Sequence, residues 1–270
     1  MPTVRINDID LYYEMSGAGE PLILIRGLGS NADHWYCQIP AFSEHFRVIA
    51  FDNRGIARSG SSKAPLTMAL MAADVIGLMD FLNISRAHLF GISMGGMVAQ
   101  HIAIEHPQRV AGLVLGCTHS GGDQVVRMPT PGAGIRPEAL YSDSPASAEK
   151  ALKVLFADAT IAEKPEIFRR YLETSAKYPP DTKTLQLQRQ AVQSHDTWED
   201  LSRIQAPTLI LAGDQDRLIP AENARLLLQR IPGATLEIIS GGGHQFAIEK
   251  PDMTNQIVLE FLKTCRIKRG

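Results

Sequence analysis

Ser93 stands in the run Gly91-Ile92-Ser93-Met94-Gly95, an instance of G-x-S-x-G. A serine hydroxyl is a poor nucleophile at neutral pH. It needs a base to take its proton, and the base needs a carboxylate to orient it. The chain supplies both downstream. Asp214 and Asp216 lie in the run Leu211 to Pro220, and His244 closes Ser240-Gly241-Gly242-Gly243-His244. Serine, then acid, then histidine is the order expected when the serine sits on a strand-to-helix turn. Spacing alone does not separate Asp214 from Asp216. A bare G-x-S-x-G also surrounds ordinary serines, so its meaning depends on the flanking elements.

Those elements suit the chemistry. Ala87-His88-Leu89-Phe90 is a short apolar run that reads as a buried strand, and Met97 to Ile104 reads as a helix. So tight a turn demands small residues beside the serine. The following helix start points free N–H groups at the same spot, where they can hold a developing oxyanion. Upstream, Thr3–Ile6 and Ile9–Tyr13 flank Asn7-Asp8 as a β-hairpin. Pro21–Ile25 is continuously apolar, as a central strand is, Arg47–Phe51 reads as the next buried strand, and Ala32–Phe46 between them reads as helix. Met71, Val75, Leu78 and Leu82 share one face of a helix over Met68–Leu82, which Thr67 can cap. Val110–Leu115 is a further strand.

After Cys117 the pattern changes. Glycines and prolines from Gly121 to Pro137 break regular structure, and Ala148–Ala157, Glu166–Lys177 and Thr184–Ser194 read as helices. Strand-helix alternation returns with Pro207–Ala212, Ala221–Arg230, Ala234–Ile239 and Met253–Lys263. The organisation expected is a core of residues 1–119 and 204–270 interrupted by a helical cap at 120–203. Alternating strands and helices imply a mostly parallel sheet covered on both faces. Catalytic groups in such sheets gather at the carboxyl ends of the strands, where Ser93, both aspartates and His244 fall.

Composition excludes some partners. The 270 residues carry a net charge of -2 with no strong block of either sign, which gives no argument for nucleic acid. No run is long enough to span a bilayer, and the N-terminus has no apolar signal core. Three scattered cysteines, Cys37, Cys117 and Cys265, make neither a disulfide framework nor a zinc site and fit a reducing, cytoplasmic setting. No metal-ligand cluster and no G-x-G-x-x-G after a strand is present, so no cofactor is expected. The expected partner is a small-molecule substrate, and the oligomeric state is not legible.

Taken together, these motifs resemble the α/β-hydrolases, in the group that holds enol-lactonases, esterases, perhydrolases and carbon–carbon bond hydrolases. The resemblance rests on Arg26-Gly27-Leu28-Gly29, Asp52 to Ser59, the turn at Ser93, Gly213 to Pro220, and Gly243-His244 with Glu249-Lys250-Pro251. It implies an α/β fold with a mostly parallel central sheet of about eight strands, flanked by helices and carrying a helical cap insertion. It also implies that Ser93 is the nucleophile and His244 the base. The acid is Asp216, four residues before Pro220, with Asp214 the competitor. The oxyanion donors are the backbone N–H groups of Leu28 and Met94. Arg26 departs from the family, which has histidine there. Either it braces its own loop, or it pairs with a substrate carboxylate.

Other residues have simpler readings. Met94, Met97 and Met128 suit core gaps or a pocket wall. His34 and Trp35 suit packing under the oxyanion loop, His119 a polar loop at the site's border, and Trp198 and His195 helix packing. Asp52 and Arg54 suit a structural loop pair. The expected activity is hydrolysis of a small carboxylic ester or lactone. The alternatives are a carbon–carbon hydrolase acting on a β-diketone or ring-cleavage product, a perhydrolase, and a hydrolase-fold ligand receptor with little turnover.

Overall fold

Leu22 and Leu24 point to one side of a strand, Ile23 and Ile25 to the other, and all four are fully buried. Such a strand must be covered on both faces. In the computed structural model, which describes residues 3–61, 65–127, 151, 153–265 and 267, it is a central strand. The strands are β1 (Thr3–Ile6), β2 (Ile9–Ser16), β3 (Pro21–Ile25), β4 (Arg47–Phe51), β5 (Ala87–Ile92), β6 (Val110–Gly116), β7 (Thr208–Gly213) and β8 (Thr235–Ile239). They form one sheet in the order β1-β2-β4-β3-β5-β6-β7-β8. β2 runs antiparallel to β1 and β4, and every other pairing is parallel. The fold is that of an α/β-hydrolase.

Two apolar clusters fill the faces. On one, Ile23, Leu89 and Leu113 meet Val75 and Leu78 of α2 (Met68–Phe81) and Met97 and Ile102 of α3 (Met94–Glu105). On the other, Leu22, Leu24, Phe90 and Val114 meet Trp35, Phe42 of α1 (Gln38–Ser43), and Val258 and Leu262 of α9 (Pro251–Thr264). Thr67 caps α2 as expected, its Oγ1 accepting from the Leu70 N–H at 3.0 Å.

Between β6 and β7 the regular elements among the described residues are helical. They include α4 (Asp158–Glu163), α5 (Pro165–Lys177), α6 (Thr182–Gln193) and a 3-10 segment at Trp198–Arg203. After β7 come α7 (Ala221–Arg230) and, past His244, a short α8 (Phe246–Glu249). No helix among the described residues is long and apolar enough to cross a membrane.

Some expected elements differ in detail. The helix expected over Ala32–Phe46 splits into a 3-10 turn at Ala32–Trp35 and α1. Pro40 has no N–H to donate, so it is tolerated only in a first turn, and α1 must begin just before it. α3 begins at Met94 rather than Met97, because Gly95 and Gly96 are drawn into its first turn by packing. Residues 151 and 153–155 are helical, whereas 128–150, with Met128 and the start of the expected Ala148–Ala157 helix, lie outside the described residues. Asp52 and Arg54 do not pair with each other. Arg58 binds Asp52 at 2.6 Å, and Arg54 binds Asp74 of α2 through two nitrogens, at 2.8 and 2.6 Å. Each charge finds the geometry of a two-pronged bond, which neighbours in one turn do not offer.

Candidate active site

Ser93 sits between β5 and α3 with φ 56° and ψ -121°, a strained conformation for a residue with a Cβ. The strain is held by its surroundings. The Ser93 N–H donates to the Gly116 carbonyl at 2.8 Å, and Thr118 Oγ1 donates to the Ser93 carbonyl at 2.8 Å. A Cβ on Gly95 would run into the Ile25 carbonyl, so only glycine lets α3 start this close to the end of β3. Gly27 does the same for the facing loop: a Cβ there would lie 3.1 Å from the Ser93 Cβ and 3.5 Å from its Oγ. The loop after β3 therefore lies directly against the serine. Leu28 belongs to that loop, and Met94 opens α3, where the first amides have no carbonyl within the helix to bond.

Asp216 and His244 come together from the ends of β7 and β8. His244 Nδ1 lies 2.8 Å from Asp216 Oδ2, and both side chains are buried. The other carboxylate oxygen of Asp216 accepts from the N–H groups of Leu218 and Ile219, each at 2.8 Å. With Oδ1 so occupied, Oδ2 is aimed at the ring. Asp214 points elsewhere, accepting from the Gly241 N–H at 2.8 Å. Burial alone would depress the His244 pKa. The Asp216 carboxylate, aided by the neighbouring Cys117, outweighs it and raises the pKa well above the ordinary histidine value. A ring that holds its proton on Nδ1 leaves the Nε2 lone pair to accept another.

Arg26 is 1% exposed. Its Nη2 donates to Gln245 Oε1 at 3.1 Å, and its guanidinium lies 4.8 Å from the centre of the Trp35 ring. It thus links the loop after β3 to the residue beside His244. Asn53 Nδ2 donates to the Arg26 carbonyl at 2.9 Å and fixes the same loop from below.

Three residues brace the site in a role that the sequence did not assign to them, although Glu249 belongs to a motif named above. Glu249 Oε1 accepts from the Gly243 N–H at 2.9 Å, while Oε2 accepts from the Ala157 N–H at 2.8 Å and Thr160 Oγ1 at 2.7 Å. Its carboxylate ties the histidine loop to α4, and its place two residues before Pro251 was the signal available. Cys117 donates its thiol to the His244 carbonyl at 3.4 Å. Gln188, fully buried on α6, accepts from the Gly29 N–H at 2.9 Å. Nothing in the local sequence marked either of these.

The remaining candidates are structural neighbours. Met94 and Met97 are buried in the core. His34 Nε2 bonds Ser175 Oγ of α5 at 2.9 Å, and Ser175 gives its own proton to the Tyr171 carbonyl. His34 is therefore the donor there. His119 Nδ1 accepts from the Gly121 N–H at 2.9 Å, so its proton is on Nε2. Burial, then Arg127 and His244, lower its pKa to about 4. His195 Nε2 bonds the His119 carbonyl, and Trp198 lies under Arg230, 4.9 Å from the guanidinium to the ring centre.

Among the described residues, the potential metal donors that converge are those of Cys117, Asp216 and His244, within 4.8 Å of one another. The nitrogen and oxygen in that set are already bonded to each other, which is the arrangement of a proton-transfer pair.

A mostly parallel sheet, a serine on a strained strand-to-helix turn, and a buried Asp–His pair at the neighbouring strand ends define a hydrolase architecture. The chain belongs to the α/β-hydrolase family, whose model, described as the alpha/beta hydrolase fold, matches residues 20–251. It is 30% identical to a protein of Azorhizobium caulinodans named as putative carbamate hydrolase RutD, over 97% of this chain and 98% of that one. It is 31% identical to 2-hydroxy-6-oxo-6-phenylhexa-2,4-dienoate hydrolase of Comamonas testosteroni, over 96% and 93% of the two chains. The crystal structure of the enol-lactonase from Burkholderia xenovorans LB400 superposes with a TM-score of 0.84 at 27% identity, covering 97% of this chain and 100% of that one. The protein is an α/β-hydrolase enzyme.

Proposed function

We propose that the protein hydrolyses a small carboxylic ester or lactone through Ser93, His244 and Asp216. The observation that carries this reading is the 2.8 Å bond from His244 Nδ1 to Asp216 Oδ2, on a sheet whose strand β5, one strand removed from β7, presents Ser93 at a strained turn. Ser93 Oγ attacks the carbonyl carbon, and its proton passes to His244 Nε2. Asp216 stabilises the imidazolium that forms. The negative oxygen of the tetrahedral intermediate accepts from the Leu28 and Met94 N–H groups. Collapse expels the alcohol, which takes the proton from Nε2 and leaves an acyl-Ser93. Water then attacks, giving its proton to His244 Nε2, and as the second intermediate collapses Nε2 returns that proton to Ser93 Oγ while the acid is released.

The helices from α4 to α6 act as a cap over the strand ends in this proposal, an insertion spanning residues 120–203 in a core of 1–119 and 204–270. A cap there excludes water and shapes the substrate pocket. Arg26 braces the oxyanion loop against Gln245. A cytoplasmic setting fits the three cysteines, all of them free thiols.

The second reading is hydrolysis of a carbon–carbon bond flanked by carbonyls. It is favoured by the 31% identity to a dienoate hydrolase. The two readings part in one assay series: purified protein with p-nitrophenyl acetate, short lactones and β-diketones, each repeated with Ser93→Ala. Serine-dependent turnover of esters or lactones supports the first, and turnover of diketones alone supports the second. No turnover of any of them contradicts both readings of the substrate.

A further inference from the structure

His244 stands between two residues that are held by one stretch of the chain. On one side the Gly243 N–H donates to Glu249 Oε1 at 2.9 Å. The other oxygen of that carboxylate accepts from the Ala157 N–H at 2.8 Å and from Thr160 Oγ1 at 2.7 Å. On the other side the Gln245 N–H donates to the Leu155 carbonyl at 3.0 Å. Residues 155–160 thus grip the histidine from both flanks. The approach is close. A Cβ on Gly243 would lie 2.6 Å from the Ala157 nitrogen and 2.8 Å from the Phe156 carbonyl carbon. Leu155 and Phe156 are anchored in turn, since both are buried in a cluster with Tyr171 of α5 and Ile248 of α8.

Glu249 is the joint of this arrangement. It is 2% exposed, and each of its three partners is a donor. An ionised carboxylate only accepts, so it satisfies all three at once. A neutral amide of the same shape would turn an N–H toward one of them. Hydrogen bonds to a charged group are shorter and stronger than neutral ones, so Gly243 is held with little play. Play matters at this point. His244 Nε2 must stay within hydrogen-bond reach of the Ser93 proton, and a misplacement of about 1 Å costs about 10²-fold in rate. Asp216 fixes the ring at Nδ1 only, so the backbone that carries the ring must be fixed as well.

We propose that Glu249 is a positioning residue: through Gly243 it makes the place of the His244 ring depend on the start of α4. It acts through the backbone, with both of its oxygens already taken. This rests on the hydrolase reading above and deepens it, because a shift of α4 then becomes a shift of the base.

The test compares Glu249→Gln, Thr160→Val and Thr67→Ala with the wild-type protein, each held below its melting transition. Thr67→Ala removes the cap of α2 and so destabilises the protein without touching the histidine loop. Two readouts are taken. One is steady-state cleavage of p-nitrophenyl acetate. The other is the low-field NMR resonance of the His244 Nδ1 proton, assigned by its loss in Asp216→Asn. Glu249→Gln should lower kcat by about 10²-fold and leave KM within about twofold, because the loss falls on the transition state. It should also shift or broaden the resonance. Thr160→Val leaves the bonds of Glu249 to Gly243 and Ala157 in place and should lower kcat by about fivefold, with a smaller shift. Thr67→Ala should match the wild type in both readouts. A merely structural Glu249 would behave as Thr67→Ala does, and equal effects of those two variants overturn the proposal. So does a raised KM at unchanged kcat, which would place Glu249 on the substrate. Wild-type kcat and an unmoved resonance in Thr160→Val overturn it even if Glu249→Gln fails to fold, since α4 would then not set the ring. Failure of the wild-type protein to cleave the ester, or cleavage that survives in Ser93→Ala, rejects the hydrolase reading instead. The resonance then decides on Glu249 by itself.

Discussion

Two aspartates stand two residues apart, and their surroundings give them different work. Asp216 has one oxygen held by two backbone N–H groups and the other on His244, whereas Asp214 closes a turn at Gly241. Asp216→Asn should therefore reduce kcat by about 10⁴, because an amide cannot hold the imidazole in the required tautomer. Asp214→Asn keeps an acceptor for the Gly241 N–H and should stay within about threefold of wild type, a small cost for a turn bond that is preserved. Steady-state kinetics on p-nitrophenyl acetate decides between them, and equal losses would reverse the assignment. The same pair sets the pH profile. A histidine pKa raised by Asp216 keeps the ring protonated, and so unable to act as base, to higher pH than an isolated imidazole. The kcat/KM profile should rise with pH through a midpoint above 6.5, the ordinary histidine value. A midpoint below that value would contradict the picture of a buried, carboxylate-paired base. Arg26→Met should lower Tm by about 5 °C and reduce turnover, through loss of a buried charged hydrogen bond. It should leave the preference between a neutral ester and its carboxylate analogue unchanged. A shift in that preference would assign Arg26 to substrate binding.

Helix α5 is fastened to the core through particular side chains. His34 donates to Ser175, Lys177 pairs with Asp33 at 3.0 Å, and Arg170 lies over Tyr36, 4.0 Å from the guanidinium to the ring centre. The histidine in this set is acid-labile. Burial, then the Arg26 charge, lower the His34 pKa to about 3 despite the nearby Asp33. In the unfolded chain the ring returns to its ordinary value near 6.5. Between these values the unfolded state binds more protons than the folded state, so stability falls as pH drops. His195, lowered to about 3, and His119, lowered to about 4, act in the same direction. Melting temperatures should decline from about pH 6.5 toward about pH 4, and His34→Gln, which keeps a donor and cannot titrate, should flatten part of that decline. Parallel pH curves for the two proteins would remove His34 from the explanation.

At the scale of the whole molecule, the parts of the chain that obey a period were legible and the parts that meet across it were not. β3 and β6 read as strands because each is an unbroken apolar run, and β4, β5 and β7 because only Arg47, His88 and Thr208 interrupt theirs, while their order relative to helices dictated a parallel sheet. The split of Ala32–Phe46 was missed because it depends on Pro40 and on the capping of a short turn by Asn31, whose side chain accepts from the Asp33 N–H at 3.0 Å. Motif order put Ser93, Asp216 and His244 at the carboxyl ends of strands, and the last two bond each other there. Gln188, Cys117 and Glu249 reach the site through tertiary contacts 159, 127 and 6 residues away along the chain. No local pattern encodes such distances, except where a short loop returns on itself as at Glu249.

The central claim is that Ser93 is an activated nucleophile, served by the Asp216–His244 pair. Its most direct test is covalent labelling with a p-nitrophenyl alkylphosphonate, followed by peptide mass spectrometry on wild type, Ser93→Ala and Asp216→Asn. The expected result is stoichiometric modification of Ser93 in the wild-type protein, none in Ser93→Ala, and labelling slowed by orders of magnitude in Asp216→Asn. Modification at another residue, or labelling of Ser93 in the Asp216→Asn protein at the wild-type rate, would contradict it.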